Sequence, residues 1–228
     1  MNLTKILSEG TIIHSSGTTG PSKPIYQPVS KIKAANKIAR DVQEINKKSK
    51  ILTVCKLDHA GGLLAQTLPA FEIDAEVKIE NFNAFRWVQI INKFTHSHLT
   101  PGMAEAVTKT KSWRDLDLSG IVITCGSDRV SHDCIQDFIN KDCTFIVNWG
   151  MSEVGPIAIN KIFKKGMQID YLEGYSLMGD TSFINTKIIN NELFVKGEIC
   201  VFDDWFATGD LIKKINNNYW FDKRKDQF

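Results

Sequence analysis

The chain has 228 residues, 43% of them hydrophobic and 24% charged, which is ordinary globular material for one large or two small domains. A formal net charge of +2 gives no electrostatic ground for nucleic-acid binding, and no apolar run approaches the length of a membrane span. Five cysteines, an odd number without C-x-x-C spacing, and no cationic start before an apolar stretch lead us to expect reduced thiols in the cytoplasm.

The first informative stretch runs from His14 through Ser15, Ser16, Gly17, Thr18, Thr19, Gly20, Pro21 and Ser22 to Lys23, after the apolar run Thr11-Ile12-Ile13. Its two glycines allow turns closed to other residues, so successive N–H groups can point at one anion. Hydroxyls add donors, and the lysine supplies the charge a polyphosphate needs. A polar surface loop is the competing reading. The Walker loop is excluded, because it would need Gly at Ser22 and Ser or Thr at Pro24.

From Ser30 to about Lys164, helical and strand-like runs alternate. Residues 31–48 carry Ile32, Ala35, Ile38, Ala39, Val42 and Ile45 at helical spacing, and the basic run Lys47-Lys48-Ser49-Lys50 reads as solvated at that helix's end. Strands are predicted at Ile51 to Cys55, Glu76 to Ile79, His98-Leu99, Ile121 to Cys125 and Phe145 to Val147. Helices are predicted from Gly62 to Phe71, Ala84 to Phe94, Pro101 to Val107 and Ser131 to Asn140. The pattern implies an α/β fold with a mostly parallel sheet flanked by helices. His96 and His98 alternate in a strand with no further ligand set, which argues against zinc. Asp115 and Asp117 read as loop carboxylates.

Beyond Gly166 the runs shorten and alternate at Gln168 to Leu172, Phe183 to Ile189, Glu192 to Lys196, Leu211 to Ile215 and Tyr219 to Phe221. Asn190-Asn191 and Asn216-Asn217-Asn218 are hairpin signals. These residues predict a small antiparallel, β-barrel-like subdomain, dividing the chain at 1–165 and 166–228.

In a parallel sheet, ligands bind beyond the carboxyl ends of the strands. Segments 59–62, 126–128 and 149–153 each follow a predicted strand and should converge on one edge. Glu153 facing a polyphosphate would require a hard cation such as Mg²⁺ between them; a solvated turn glutamate is the alternative. Trp149 offers a face for a base, or fills the core. Asp210 can accept both hydroxyls of a ribose, or close a turn. His59 gates an acid pocket or packs near a helix start.

The 15–23 loop resembles the T-S-G-T-T-G-x-P-K-G signature of the adenylate-forming superfamily, which includes acyl-CoA synthetases, luciferases and peptide-synthetase adenylation domains. Asn148-Trp149-Gly150-Met151-Ser152-Glu153 resembles Y-G-x-T-E, and Trp205-Phe206-Ala207-Thr208-Gly209-Asp210 resembles W-F-x-T-G-D. Asp222-Lys223-Arg224-Lys225-Asp226 resembles the family's hinge, with Lys223 where the family has arginine and Arg224 one place on. Leu57 to Leu63 resembles the F-H-x-x-G-L segment of acyl- and aryl-CoA ligases, o-succinylbenzoate–CoA ligase especially.

The resemblance implies that a carboxylic acid attacks the α-phosphate of Mg·ATP, and that the adenylate passes to a thiol such as CoA. It assigns Ser15, Ser16, Gly17, Thr18, Thr19, Gly20 and Lys23 to the β- and γ-phosphates, and Ser152 to the α-phosphate. Glu153 takes the metal and Asp210 the ribose, and Lys223, in the place of the hinge arginine, joins the nucleotide-binding residues. Trp149, Gly150 and Met151 with Gly126, Ser127 and Asp128 take the adenine, and His59, Gly61 and Gly62 the acid. Lys23, Ser152 and Glu153 are the expected catalytic groups. In the family a small C-terminal lid domain follows the hinge motif; the sequence leaves open whether the chain is a minimal protein, half of a split enzyme or a piece ending at the hinge, and a separate lid domain or a carrier protein is a candidate partner. A nucleotide- or acyl-adenylate-binding module without turnover is the alternative.

Overall fold

Alternating helices and apolar strands set five neighbouring strands running in one direction. The computed structural model of the chain describes residues 1–15 and 22–225. Helix α1 (Leu3–Glu9), capped by the Asn2 side chain, leads into a hairpin of β1 (Thr11–His14) and β2 (Pro24–Gln27). Helix α2 (Val29–Gln43) buries Ile32, Ala35, Ala39 and Val42 along one stripe and ends at Glu44 in the left-handed region. It therefore stops before the Lys47–Lys50 run, and Lys50 opens the next strand.

Next come β3 (Lys50–Thr53), α3 (Ala60–Gly62), a π-helical turn (Leu63–Thr67), α4 (Leu68–Phe71) and β4 (Glu76–Ile79). They are followed by α5 (Ala84–Ile90), β5 (His96–Leu99), α6 (Pro101–Thr108) and β6 (Val122–Gly126). The α/β part closes with α7 (His132–Ile139), β7 (Thr144–Met151) and β8 (Gly155–Phe163). Thr100 caps α6 with Pro101 in its first turn, and Ser131 caps α7.

The seven-stranded sheet has the order β10-β8-β7-β6-β5-β3-β4, where β10 is Thr181–Ser182. Strands β3 to β7 are mutually parallel, while β8 and β10 are antiparallel additions. In β7, Phe145 and Val147 pack with Trp87, Val107 and Phe138 of α5, α6 and α7 on one face. Ile146 packs with Ala39, Val42 and Ala65 on the other face. Fully burying each such side chain contributes about 1.5–3 kcal/mol.

The second sheet is antiparallel, ordered β11-β12-β13-β14-β9. Its strands are β9 (Ser176–Gly179), β11 (Asn185–Ile189), β12 (Glu192–Lys196), β13 (Phe206–Ile215) and β14 (Asn218–Arg224). Asn190-Asn191 and Asn216-Asn217 take positive φ in its two tight hairpins, as their sequence signals require. Leu193, Val195 and Ile212 pack with Ala35 of α2 and Ile159 of β8. Leu177 and Trp220 join the cluster of Leu52 and Phe145.

Several elements differ from the sequence expectation, among them α1, β9 and β10, which had no predicted counterpart. Gln168 to Leu172 is not a strand: Ile169 and Leu172 pack into the core from irregular backbone. The long strand β8 and the short strand β2 were not anticipated. Among the described residues, β11 and β9 are opposite edges of an open sheet, with no pairing that would close a barrel. No described helix is long and apolar enough to cross a membrane.

Candidate active site

The neck of the 15–23 loop is held by its own backbone. Ser15 N–H donates to the Lys23 carbonyl at 3.0 Å, Lys23 N–H donates to Ser15 Oγ at 3.0 Å, and Ser22 Oγ donates to the Ser15 carbonyl at 2.9 Å. Ser16, Gly17, Thr18, Thr19 and Gly20 lie outside the described residues.

Below the neck, the His14 carbonyl accepts from Ser152 Oγ at 3.3 Å and from His59 Nδ1 at 3.0 Å. His59 therefore carries its proton on Nδ1, leaving Nε2 3.7 Å from Asp58 Oδ1. The Ser152 carbonyl is held in turn by Gln27 Nε2 at 2.9 Å and Lys31 Nζ at 3.1 Å. Lys31 is 2% exposed. Burial pushes its ammonium down to about 7, against the opposing pull of Cys200 and Glu153.

Trp149, Gly150 and Met151 end β7, and the chain turns through Ser152, Glu153 and Val154 into β8. A bulge between Trp149 and Met151 reshapes this turn, and Gly150 packs directly on the Gly155 backbone, where no Cβ fits. Opposite, Ile157 holds φ 59°, a strained value for a β-branched residue. Glu153 accepts Val201 N–H at its main-chain oxygen at 2.8 Å. Its carboxylate makes no hydrogen bond among the described residues.

Asp210 is 4% exposed, and both its oxygens are engaged. Trp149 Nε1 donates to Oδ2 at 2.8 Å, and Arg224 Nη1 donates to Oδ1 at 2.8 Å. The next residue inward, Gly209, has φ +75° and packs against the Arg224 guanidinium, so a side chain there would be strained and crowded. The register pairs Asp210 with Arg224 and Leu211 with Lys223, so Arg224 rather than Lys223 faces the carboxylate.

Two further expected segments meet at the carboxyl ends of β3, β5 and β6. Gly126 is paired with Asn148, and a Cβ there would overlap the Asn148 carbonyl. Ser127 follows with φ +78°, and Asp128 Oδ1 accepts Arg129 N–H at 2.7 Å. Gly62 lies directly against the Lys56 carbonyl, while a Cβ on Gly61 would fall 2.7 Å from His98 Cε1 and 3.3 Å from Ser127 Oγ. His59, Ser152 and the loop neck thus meet at His14, Trp149 meets Asp210, and Gly61 meets Ser127.

The sequence profile of the family described as AMP-binding enzyme matches residues 10–209. The chain belongs to the AMP-binding enzyme family. Indoleacetate–CoA ligase from Aromatoleum aromaticum is 27% identical over 245 residues, covering 95% of this chain and 48% of that protein. The chain therefore spans about half the length of that relative. O-succinylbenzoate coenzyme A synthetase from Bacillus subtilis, solved with ATP and magnesium ion, is 20% identical with a TM-score of 0.78, covering 94% of this chain and 50% of that one. ATP-bound MatB from Rhodopseudomonas palustris is 16% identical with a TM-score of 0.75, covering 94% and 48% respectively. These two structures share the fold.

Several groups that hold these segments in place carry little local sequence signal. Gln27 and Lys31 carry the hairpin and α2 to the Ser152 turn. Glu192 is buried, accepts Gly209 N–H at 3.2 Å and pairs with Lys225 at 2.7 Å, fixing the turn before Asp210. Arg129 donates to the Asp222 and Gly174 carbonyls and lies over Phe221, tying the end of β6 to β14. Only the adjacency of Arg129 to the 126–128 motif was available as a sequence signal.

Gly126→Ala should force β6 and β7 apart at the Gly126–Asn148 pair, costing about 1–3 kcal/mol. Thermal melts and calorimetry with AMP should show reduced stability and reduced binding. Wild-type behaviour in both would remove the need for glycine here.

Proposed function

We propose that the chain is the nucleotide- and acid-binding core of an AMP-forming acid–thiol ligase. One observation carries this reading. The Ser15–Lys23 neck is joined through His14 to Ser152, one turn from the Trp149–Asp210–Arg224 contact, at the carboxyl edge of a parallel sheet. Membership of the family and the acid–CoA ligase among its relatives support it.

ATP is the first substrate, and the residues fit it. The family resemblance assigns Ser15, Lys23 and the loop residues between them to the β- and γ-phosphates, and Ser152 to the α-phosphate. Asp210 Oδ1 and Oδ2 accept from Arg224 and Trp149, and the carboxylate is the group assigned to the ribose hydroxyls. Lys223 flanks that side. Trp149, its edge fixed by Asp210, with Gly150 and Met151 forms one wall of the base site, and Gly126, Ser127 and Asp128 form the other. Asn148 Nδ2 is buried without a hydrogen-bond partner and packs directly against Gly126.

Among the described residues, no cluster of three or more His, Cys, Asp or Glu is placed to hold a metal. That matches magnesium, which takes one or two carboxylates and completes its shell with phosphate oxygens and water. The Glu153 carboxylate, with no competing hydrogen bond, would hold it. When bound, Mg²⁺ neutralises phosphate charge. The chain's own groups orient the acid's carboxylate oxygen for attack on the α-phosphate, with pyrophosphate departing, and stabilise the added charge. No protein nucleophile is required.

The acid lies beside His59, Gly61 and Gly62. The name of the indoleacetate–CoA ligase relative supports an aryl acid. CoA is the expected acceptor, and a lid domain or a carrier protein is the expected partner. All five described cysteines are unpaired, in keeping with the cytoplasm.

Pyrophosphate exchange across a panel of carboxylic acids, with and without an added lid domain, tests the reading. Acid-dependent exchange that the lid domain increases at least tenfold is expected. Glu153→Gln should keep the fold and weaken the Mg²⁺ dependence of ATP binding in calorimetry; an unchanged metal response sinks its assignment. Tight nucleotide binding without exchange under any condition would favour a binding module, and failure to bind nucleotide would overturn both readings.

A further inference from the structure

His98 is the penultimate residue of β5, which lies between β3 and β6, so it sits near the carboxyl ends of these strands, where the proposed acid-binding segments gather. The residue is 4% exposed, and neither ring nitrogen has a hydrogen-bond partner. The ring is aimed at the Gly61 turn, whose backbone approaches it outside hydrogen-bond geometry. Here the chain keeps a narrow, partly open cleft lined by Thr53, Cys55, Gly61, Gln66, Thr67 and His98; it is too tight to hold a water molecule, so a ligand group must displace the Gly61 turn or the His98 ring to enter.

The other polar groups of this cleft are largely satisfied. Thr53 and Thr67 hydroxyls bond each other at 2.7 Å, Thr67 donates to the Gly62 carbonyl at 2.6 Å, and Gln66 Nε2 donates to Gln43 Oε1 at 2.8 Å. What remains unpaired is both His98 nitrogens and Gln66 Oε1. Leaving such groups buried and unpaired is costly, and their convergence on one cleft calls for a ligand atom. The wall carrying Gln66 is the π-helical turn, an over-wide turn of a kind common at functional sites.

Resting on the acid-activation reading above, we propose that the cleft beneath Gly61, floored by His98 and Gln66, recognises an uncharged hydrogen-bonding group on the tail of the carboxylic acid. A hydroxyl, an amide or a ring N–H fits. The described lining includes no Lys or Arg, so a second carboxylate would enter without a counter-charge. Burial holds the His98 imidazole down at about 4, outweighing the pull of the Gly61 backbone, and raises the Cys55 thiol to about 12. At neutral pH the ring is therefore one donor and one acceptor, matched to a neutral polar partner. The tail enters past Gly61, where any side chain would contact the ring.

The probes are acyl sulfamoyl adenosines in isosteric pairs, namely indolylacetyl against its benzothiophene counterpart and para-hydroxyphenylacetyl against para-methylphenylacetyl. Sulfamoyl adenosine without an acyl group is the control, and binding is read by calorimetry. Wild type should bind at least one polar member about tenfold or more tightly than its isostere. His98→Leu should erase that preference and keep or raise the melting temperature, since it removes an unpaired polar group. His98→Asn should retain part of the preference and reports if the leucine variant fails to fold. Equal discrimination by wild type and the His98 variants, or none by wild type, overturns the inference. Failure of the unacylated control to bind wild type would instead overturn the nucleotide reading on which the inference rests.

Discussion

Asp210→Ala is expected to lower stability by about 1–3 kcal/mol, because it removes the acceptor shared by the partly exposed Arg224 guanidinium and the Trp149 N–H. For a chain of this size that corresponds to a fall in melting temperature of roughly 2–12 °C. Asp210→Asn keeps one acceptor oxygen and should lose less. Both variants should bind AMP more weakly, since the carboxylate sets the edge of Trp149 and, on the proposed function, meets the ribose. Thermal melts with AMP calorimetry separate the two effects. A melting temperature within a degree of wild type for the alanine variant would show that the three-residue contact contributes little.

Lys23→Ala should weaken ATP binding at least tenfold while changing AMP binding much less. A charge-assisted hydrogen bond contributes about 1.5–3 kcal/mol, and every 1.4 kcal/mol is tenfold in affinity. The fold should survive, because Lys23 holds the loop neck through its main-chain N–H and carbonyl, both facing Ser15, and neither is altered by the substitution. The difference should shrink as salt rises, as expected for a partly exposed charge. Equal losses for ATP and AMP would remove Lys23 from the terminal phosphates.

Local pattern sufficed for the parallel sheet, since β-branched runs alternating with capped helices leave little choice of architecture. It also located the 59–62, 126–128 and 149–153 segments, because each directly follows such a run. What escaped depends on pairing across the sequence. Gln27 and Lys31 are more than a hundred residues from the Ser152 carbonyl they hold, and nothing local marks them. A bulge between Leu211 and Ile212 decides that Arg224 faces Asp210, and a period-two reading has no access to a bulge. Gln168 to Leu172 alternates like a strand but has no partner to pair with, so its apolar residues reach the core from a loop. His98 was weighed only as a metal ligand; its position between β3 and β6 follows from strand order, which the sequence leaves open.

One acceptor, the His14 oxygen, serves both His59 and Ser152, and it belongs to the main chain. Substitution of the His14 side chain therefore leaves the joint between the 15–23 neck, the 59–62 segment and the Ser152 turn in place, whereas loss of either donor removes half of it. Sequence variation at residue 14 is thus absorbed by a contact that variation at 59 or 152 would break.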